Sequence, residues 1–303
     1  MRLLTRSDFD GIACAALLKE LGVIESMEYA HPKDLQDGKI DVNKDDVLAN
    51  VPYVEGCGLW FDHHSSERER MSLQGQYQGC SAEAPSAARV IYDYYKDPRL
   101  SKFDEMLKYV DRVDSAQLSE IEILNPTGWV LLGFLCDPRT GLGYHKSFTI
   151  SNLQLMRDLM EALRTQSIET IMANADIQER VKLYFENDSK CKDFLTKQTK
   201  VDGSIAITDA RGLTGMPPGN RFLIYSLFPQ TNISIRMIDG RGKEFVAISV
   251  GYSVLNRTAT VDVGSLMLKY GGGGHKAVGT CQVPYADADR VLAELVDAIN
   301  SEV

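Results

Sequence analysis

Two aspartates, Asp8 and Asp10, stand two residues apart in Arg6-Ser7-Asp8-Phe9-Asp10-Gly11. In an extended segment that spacing points both carboxylates the same way. Carboxylates that converge on one point repel unless a cation lies between them. A second cluster, Asp62-His63-His64, follows the apolar run Leu59-Trp60-Phe61 and adds a carboxylate and two imidazoles. Adjacent histidines seldom serve packing. Oxygen and imidazole ligands without thiolate suit manganese, magnesium, iron or zinc. The chemistry expected is therefore that of a divalent-metal site.

A further carboxylate follows from helical phase. Phe103, Met106, Leu107, Val110 and Val113 form the apolar face of a helix expected after Lys102. Asp114 falls in that stripe and Asp111 toward its edge. An acid on a buried face demands a partner, and a metal would be one. Each residue also has a plainer role: Asp8 as a helix N-cap, Asp114 as a local hydrogen-bonding group. His31 and His145 stand alone in loop-like sequence and are expected at the surface.

Three short apolar segments must position these groups. Residues 2–5 lead into the first acidic turn and a helix with Ile12, Ala16 and Leu17 on one face, stopped near Gly22. Asp46 to Asn50 and Leu59 to Phe61 are strand-like, and Ser86 to Tyr95 is helical. Strands alternating with helices predict a parallel sheet with helices on its faces, with active groups at the carboxyl ends of its strands. From Ser151 to Val201 the chain reads as charged helices leading to a linker, with Leu153, Met156, Leu159, Met160 and Leu163 at helical spacing. From Ser204 the pattern turns strand-like: IAIT, FLIYSLF, ISIRMI and EFVAISV, the last two joined by a hairpin turn at Asp239 to Gly242. A helix over Asp262 to Tyr270 runs into Gly271-Gly272-Gly273-Gly274-His275, and an amphipathic helix through Val291, Leu295 and Ile299 closes the chain. The fold class expected is α/β, with an N-terminal domain over 1–150, a helical segment over 151–200 and a smaller α/β domain over 201–303.

Composition narrows the function. At roughly 100–200 residues per domain, 303 residues predict about two domains. A hydrophobic fraction of 44% and a charged fraction of 25% exclude general disorder. A net charge of −9 argues against wrapping duplex nucleic acid. A processive single-strand nuclease is disfavoured too, since no basic stripe is interleaved with aromatics. No apolar run approaches the roughly 20 residues of a spanning helix, so no membrane partner is expected. The N-terminus turns acidic too early for a signal peptide. Six scattered cysteines with no CxxC pair argue against a thiolate zinc site or a disulfide framework. The expected location is cytoplasmic. A homodimer is compatible with the sequence, which does not fix oligomeric state.

These residues resemble the DHH superfamily of phosphoesterases. Asp62-His63-His64 matches its signature triplet, and Asp8-Phe9-Asp10-Gly11 resembles its first motif. Asp114-Ser115-Ala116-Gln117-Leu118 resembles its fourth, and Gly271 to Gly279 resembles the GGGH motif of the DHH-associated C-terminal domain. The likeness spans nearly the whole chain and points to the nanoRNase and exopolyphosphatase-like branch. It implies a two-domain, metal-dependent hydrolase of phosphate esters or anhydrides, acting at a cleft between its domains by in-line attack on phosphorus.

Two positions depart from the family pattern. Arg6 stands where the first motif usually has His, and Asn50 where a strand usually ends in a metal-bridging Asp. Of the family's two metal sites, one then keeps only Asp8. The other keeps Asp10, His63 and Asp114, with Asn50 as a weak neutral oxygen. One Mn2+ or Mg2+ is therefore expected rather than two, with Arg6 near the lost ion, paired with Asp8 and reaching a substrate phosphate. Asp62 belongs to the same metal-site set and orients the histidines, and His64 binds and polarises the phosphate. Arg257, beside Asn256, is the expected phosphate clamp, together with the amides of Gly272, Gly273 and Gly274 and with His275. The expected substrate is a short oligonucleotide or nucleotide. The alternatives are an exopolyphosphatase-like hydrolase and a non-catalytic phosphate-ligand binder with a degenerate metal site.

Overall fold

The computed structural model describes residues 1–301 except 65–66, 68–76 and 214. The chain divides into two compact units, Met1–Leu118 with Asn125–Phe185, and Ser119–Leu124 with Glu186–Val303.

The first unit is built on five parallel strands: β1 (Arg2–Thr5), β2 (Ser26–Tyr29), β3 (Asp46–Ala49), β4 (Leu59–Asp62) and β5 (Gly79–Ser81). Their order is β2-β1-β3-β4-β5. Leu3, Leu4, Val47, Leu48, Trp60 and Phe61 are all buried. Runs of consecutive buried residues, rather than alternation, are what a parallel sheet covered on both faces requires. The helix Phe9–Glu20 is buried continuously from Phe9 to Leu18. It packs against the helices Ala87–Tyr95, Asp104–Asp114 and Asn152–Thr165 as well as β1. From β1 the chain adds β2 on one side and β3 on the other, so the ends of β1 and β3 flank a topological switch point, where open α/β sheets bind ligands. The register pairs Thr5 with Ala49 and Ala49 with Phe61, which sets the residues after these three strands side by side.

The charged stretch after Ser151 is helical in four pieces, Asn152–Thr165, Ile168–Met172, Ala175–Glu186 and Asp188–Gln198. The first buries Leu155, Met156, Leu159, Met160 and Leu163. Leu153, read from the sequence as part of that face, is 47% exposed. Among the described residues, no helix is long and apolar enough to cross a membrane.

The second unit carries a six-stranded sheet of β6 (Thr199–Asp202), β7 (Ile205–Asp209), β8 (Ile233–Asp239), β9 (Phe245–Tyr252), β10 (Gly273–His275) and β11 (Val278–Pro284). Its order is β10-β11-β9-β8-β7-β6, antiparallel except for β7 and β8. Burial alternates along β8 and β9. The inward residues Ile235, Met237, Ile248 and Val250 meet Val263, Met267, Val291 and Leu295 of the helices Val263–Leu268 and Ala288–Ser301. The hairpin closes with Gly240 N–H on Phe245 O at 2.8 Å.

One expected strand is a helix. In FLIYSLF, Leu223–Leu227 are helical. Phe222, Leu223, Ile224 and Tyr225 are buried in succession, so there is no period of two. The Asn220 side chain accepts the Phe222 N–H at 2.8 Å, starting the turn.

Candidate functional site

The residues that follow β1, β3 and β4 supply most of the site. Asp8 caps the helix Phe9–Glu20, accepting the Gly11 N–H on Oδ1 at 2.9 Å. The same oxygen accepts from Asn50 Nδ2 at 3.1 Å, and Arg6 Nε lies 3.1 Å from Oδ2. Arg6, Asp8 and Asn50 are thus brought together, with Asp8 held by three donors. Asn50 takes a left-handed backbone, φ 57°, at the end of β3, a conformation asparagine tolerates better than most residues.

Asp10, within the first turn of the same helix, faces the start of the helix Ala87–Tyr95. Its Oδ2 accepts the Ala87 N–H and its Oδ1 the Ala88 N–H, both at 2.9 Å. These amides are among the open donors of a helix N-terminus, where a carboxylate is favoured. The sequence signal was Ser86 ahead of the apolar run, whose hydroxyl caps the same helix by accepting from Arg89 N–H at 3.0 Å.

His63 is 4% exposed, and its Nδ1 lies 3.1 Å from Ala84 O. A carbonyl can only accept, so Nδ1 carries a proton, and in the neutral ring Nε2 carries the lone pair. Nε2 lies 3.3 Å from Asp114 Oδ2 and 3.8 Å from Asp10 Oδ2. Ligand atoms of Asp10, His63 and Asp114 all lie within 4.8 Å of one another. Asp111 points elsewhere: it accepts from Ser86 Oγ at 2.7 Å and from Arg89 Nε and Nη2 at 2.9 and 2.7 Å.

Electrostatics mark the cluster. Asp10 is pushed up to about 7, chiefly by burial and then by the Asp114 carboxylate. Burial would lower His63, but Asp114 and Asp10 outweigh it and raise the imidazole. Two carboxylates around one imidazole nitrogen, with Asp10 and His63 buried and the Asp114 side chain 27% exposed, form a donor set that a divalent cation fits. Fixing Nε2 through an Nδ1 hydrogen bond to a carbonyl is what a ligating histidine requires.

Asp62 is fully buried and turned to His64. It accepts the His64 N–H on Oδ2 at 3.1 Å, and its Oδ1 lies 2.8 Å from His64 Nδ1. Burial pushes Asp62 up to about 7. His64 is held well below the usual imidazole range, by burial first and then by His63. The His64 ring meets that of His63 edge-on at 4.6 Å. His31 and His145 are exposed, and His31 Nδ1 caps a short helix by accepting the Lys33 N–H.

The remaining sequence-derived residues lie in the second unit. Arg257 is exposed, its Nε donating to Val254 O at 2.9 Å. Asn256 is half-buried, its N–H on Ser253 Oγ at 2.9 Å. Gly273, Gly274 and His275 form β10, paired with Thr280, Gly279 and Val278 of β11. The glycine run is therefore partly a sheet edge. A Cβ on Gly274, whose φ is 153°, would lie 2.1 Å from Val278 O, so only glycine allows this pairing.

The chain is 41% identical to the pGpG-specific phosphodiesterase PggH of Vibrio cholerae, the match covering 100% of this chain and 99% of that one with a TM-score of 0.76. The DHH domain of a member of the S1p family of ribosomal proteins shares the fold, at 11% identity and a TM-score of 0.54 over 99% of this chain and 85% of that one. No family model and no curated protein sequence matches the chain. Identity of that degree along the full length, in a chain that keeps the Asp62-His63-His64 triplet, settles kinship: this chain belongs to the DHH family of phosphoesterases.

Proposed function

We propose that the protein is a phosphodiesterase that hydrolyses short linear dinucleotides of the pGpG type. The observation that carries this reading is the full-length identity of 41% to a pGpG-specific phosphodiesterase. Hydrolysis forms one phosphorus–oxygen bond to water and breaks one to the ribose, whose oxygen leaves with a proton.

Asp10, His63 and Asp114 would hold one Mn2+ or Mg2+. Such an ion, when bound, activates water at neutral pH and offsets the charge that builds on the phosphoryl oxygens. Arg6 supplies a permanent cation beside Asp8 and reaches a substrate oxygen. Asn50 gives its amide to Asp8, which leaves the place of the usual bridging anion neutral. Asp62 fixes the His64 ring by its Nδ1, so that Nε2 meets a phosphate oxygen. Arg257 offers a planar fork suited to a second phosphate contact; the Gly272 amide, expected from the sequence as a further donor, is instead given to Met267 O at 3.0 Å, which closes the turn before β10.

The test is a chromatographic assay of a 5′-phosphorylated diribonucleotide, 3′-phosphoadenosine 5′-phosphate, pyrophosphate and short polyphosphate, with and without Mn2+. Manganese-dependent cleavage of the diribonucleotide, lost in His63→Ala, is expected. Preferential cleavage of polyphosphate would replace this reading by an exopolyphosphatase-like one. Binding of the panel without any turnover would overturn both.

A further inference from the structure

The helix Gly128–Cys136 is apolar and buried from Trp129 to Cys136. It reaches the site of the first unit through Gly133. A Cβ at Gly133 would lie 3.0 Å from Val113 and 3.1 Å from Phe9. Val113 precedes Asp114, and Phe9 lies between Asp8 and Asp10, so the missing side chain lets this helix rest directly on both carboxylate-bearing elements. Phe9 also stacks on Trp129, with ring centroids 6.2 Å apart.

One turn beyond Gly133 the helix ends. Asp137 N–H closes back on Gly133 O at 3.1 Å, and the chain enters the short turn Pro138–Thr140. A helical turn advances about 5.4 Å, so Asp137 to Arg139 emerge close to the Phe9 and Val113 contacts. Asp137 is buried, and its Oδ1 accepts both the Arg139 N–H at 2.9 Å and Arg139 Nε at 2.7 Å. The Thr140 hydroxyl ties the same turn by donating to Asp137 O at 2.8 Å. The guanidinium is therefore fixed at its inner nitrogen, while 32% of the side chain stays exposed. Burial would lower the guanidinium, but Asp137, then Asp8 and Asp114, raise it.

The plainer role is a structural ion pair with Asp137, whose Oδ1 also takes the Arg139 N–H and so ties the turn. A fixed cation near carboxylates that bind a metal also opposes that metal, unless an anion enters between them. We propose that Arg139, positioned by Asp137, is a phosphate-binding residue of this active site, placing its guanidinium on an oxygen of the substrate phosphate. A planar fork with a permanent charge suits that contact. This inference rests on the phosphodiesterase reading and adds to it a contact made by the N-terminal unit.

The test is calorimetric titration of wild type, Arg139→Gln and Arg139→Lys with Mn2+ alone, then with a 5′-mononucleotide in saturating Mn2+, alongside dinucleotide kinetics. Arg139→Gln is expected to bind Mn2+ at least as tightly as wild type. It is expected to bind the nucleotide about 10- to 100-fold more weakly, the loss of a charge-assisted contact, with Arg139→Lys recovering part of the loss. Unchanged nucleotide affinity in Arg139→Gln would overturn the proposal, as would weakening of Mn2+ and nucleotide together, which marks structural damage. If wild type cleaves no dinucleotide, the functional reading fails while the nucleotide titration still decides the role of Arg139.

Discussion

The imidazole Nε2 of His63 lies 3.3 Å from Oδ2 of Asp114, a residue at the last turn of the helix Asp104–Asp114. That contact gives two nearby acids of one helix opposite expected phenotypes. Asp114→Asn removes a negative ligand from the cluster. Its kcat/KM should fall by about 100-fold or more, and its Mn2+ affinity should fall as well. Its Tm without metal should hold or rise, because Asp10 loses a repelling neighbour. Asp111→Asn breaks the pair with Arg89 at 2.7 Å and the bond from the Ser86 cap. It should cost about 1 kcal/mol, or about 2–4 °C in Tm, with activity and metal affinity kept at a permissive temperature. Thermal melts and metal titrations of both variants check this, and Mn2+ binding lost in Asp111→Asn but kept in Asp114→Asn would overturn it.

Asp10 makes stability depend on pH when no cation is present. Its carboxyl is pushed up to about 7 in the folded chain, burial being the main cause, against about 3.9 when unfolded. Between these values the folded state holds the proton more often than the unfolded state. This group's contribution is therefore largest in acid, declines as pH rises and levels off above the folded value. Asp10→Asn removes the titration, while its poorer acceptance of the Ala87 and Ala88 amides costs an amount independent of pH. In chelator, the Tm of Asp10→Asn relative to wild type should climb from pH 5 to pH 8. Saturating Mn2+ should flatten the wild-type slope. A relative Tm that does not vary with pH would show that no buried charge is felt at Asp10.

Much of this site was legible because its residues are contiguous or obey one period. The Asp62-His63-His64 triplet is local, and the phase of the helix after Lys102 separates Asp114 from Asp111, which lie beside His63 and Arg89 respectively. The Ala84 carbonyl on His63 and the Ala87 and Ala88 amides on Asp10 carry no side-chain signature, since any residue offers the same backbone groups. The helix within FLIYSLF was hidden because a short apolar run buried on all sides has no readable period. In β11 Gly279, Cys281 and Val283 alternate as buried residues, a strand beyond the segments read from the sequence, where the glycine run beside it reads as a phosphate-binding motif. Gly274 belongs to a close strand pairing that only the register of β10 against β11 reveals.

Arg6 and Asn50 lead to an expected metal stoichiometry of one. Asp8 is engaged by Arg6 Nε, Asn50 Nδ2 and the Gly11 amide, which leaves it poorly placed to join a second ion. Wild type should bind one Mn2+ per chain in calorimetry and in elemental analysis after gel filtration. The double variant Arg6→His, Asn50→Asp exchanges a cation for an imidazole and an amide for a carboxylate, creating a second oxygen and imidazole donor set around Asp8. It should bind two. Asn50→Asp alone should be less stable than the double variant once Mn2+ is added, because the new carboxylate then has only the tethered Arg6 to offset it. Two tightly held ions in wild type would mean that Asp8 ligates a metal in spite of its three donors.

The pairing of Asp62 with His64 predicts a proton taken up on substrate binding. The buried Asp62 carboxylate holds the backbone N–H and Nδ1 of His64 at 3.1 and 2.8 Å, which fixes the orientation of the ring. Burial and the neighbouring His63 keep His64 well below its ordinary pKa, so the ring is neutral at pH 7. A phosphate oxygen arriving at Nε2 supplies the negative charge that burial withheld, and an opposite charge at hydrogen-bond distance raises an imidazole. Binding a 5′-mononucleotide in Mn2+ at pH 7 should therefore draw a proton from the buffer. Calorimetry in two buffers of different ionisation enthalpy reads the number directly. His64→Gln keeps a hydrogen-bonding side chain of similar reach but cannot titrate, so the difference between the two proteins isolates His64 from the phosphate's own proton. The expected result is net uptake in wild type beyond that in His64→Gln. The free ring is already neutral at pH 7, so above that the excess should shrink as rising pH strips the proton from the bound ring. Equal proton counts in the two proteins at every pH would mean that His64 stays neutral against the phosphate, and its role would then be limited to a neutral contact at Nε2.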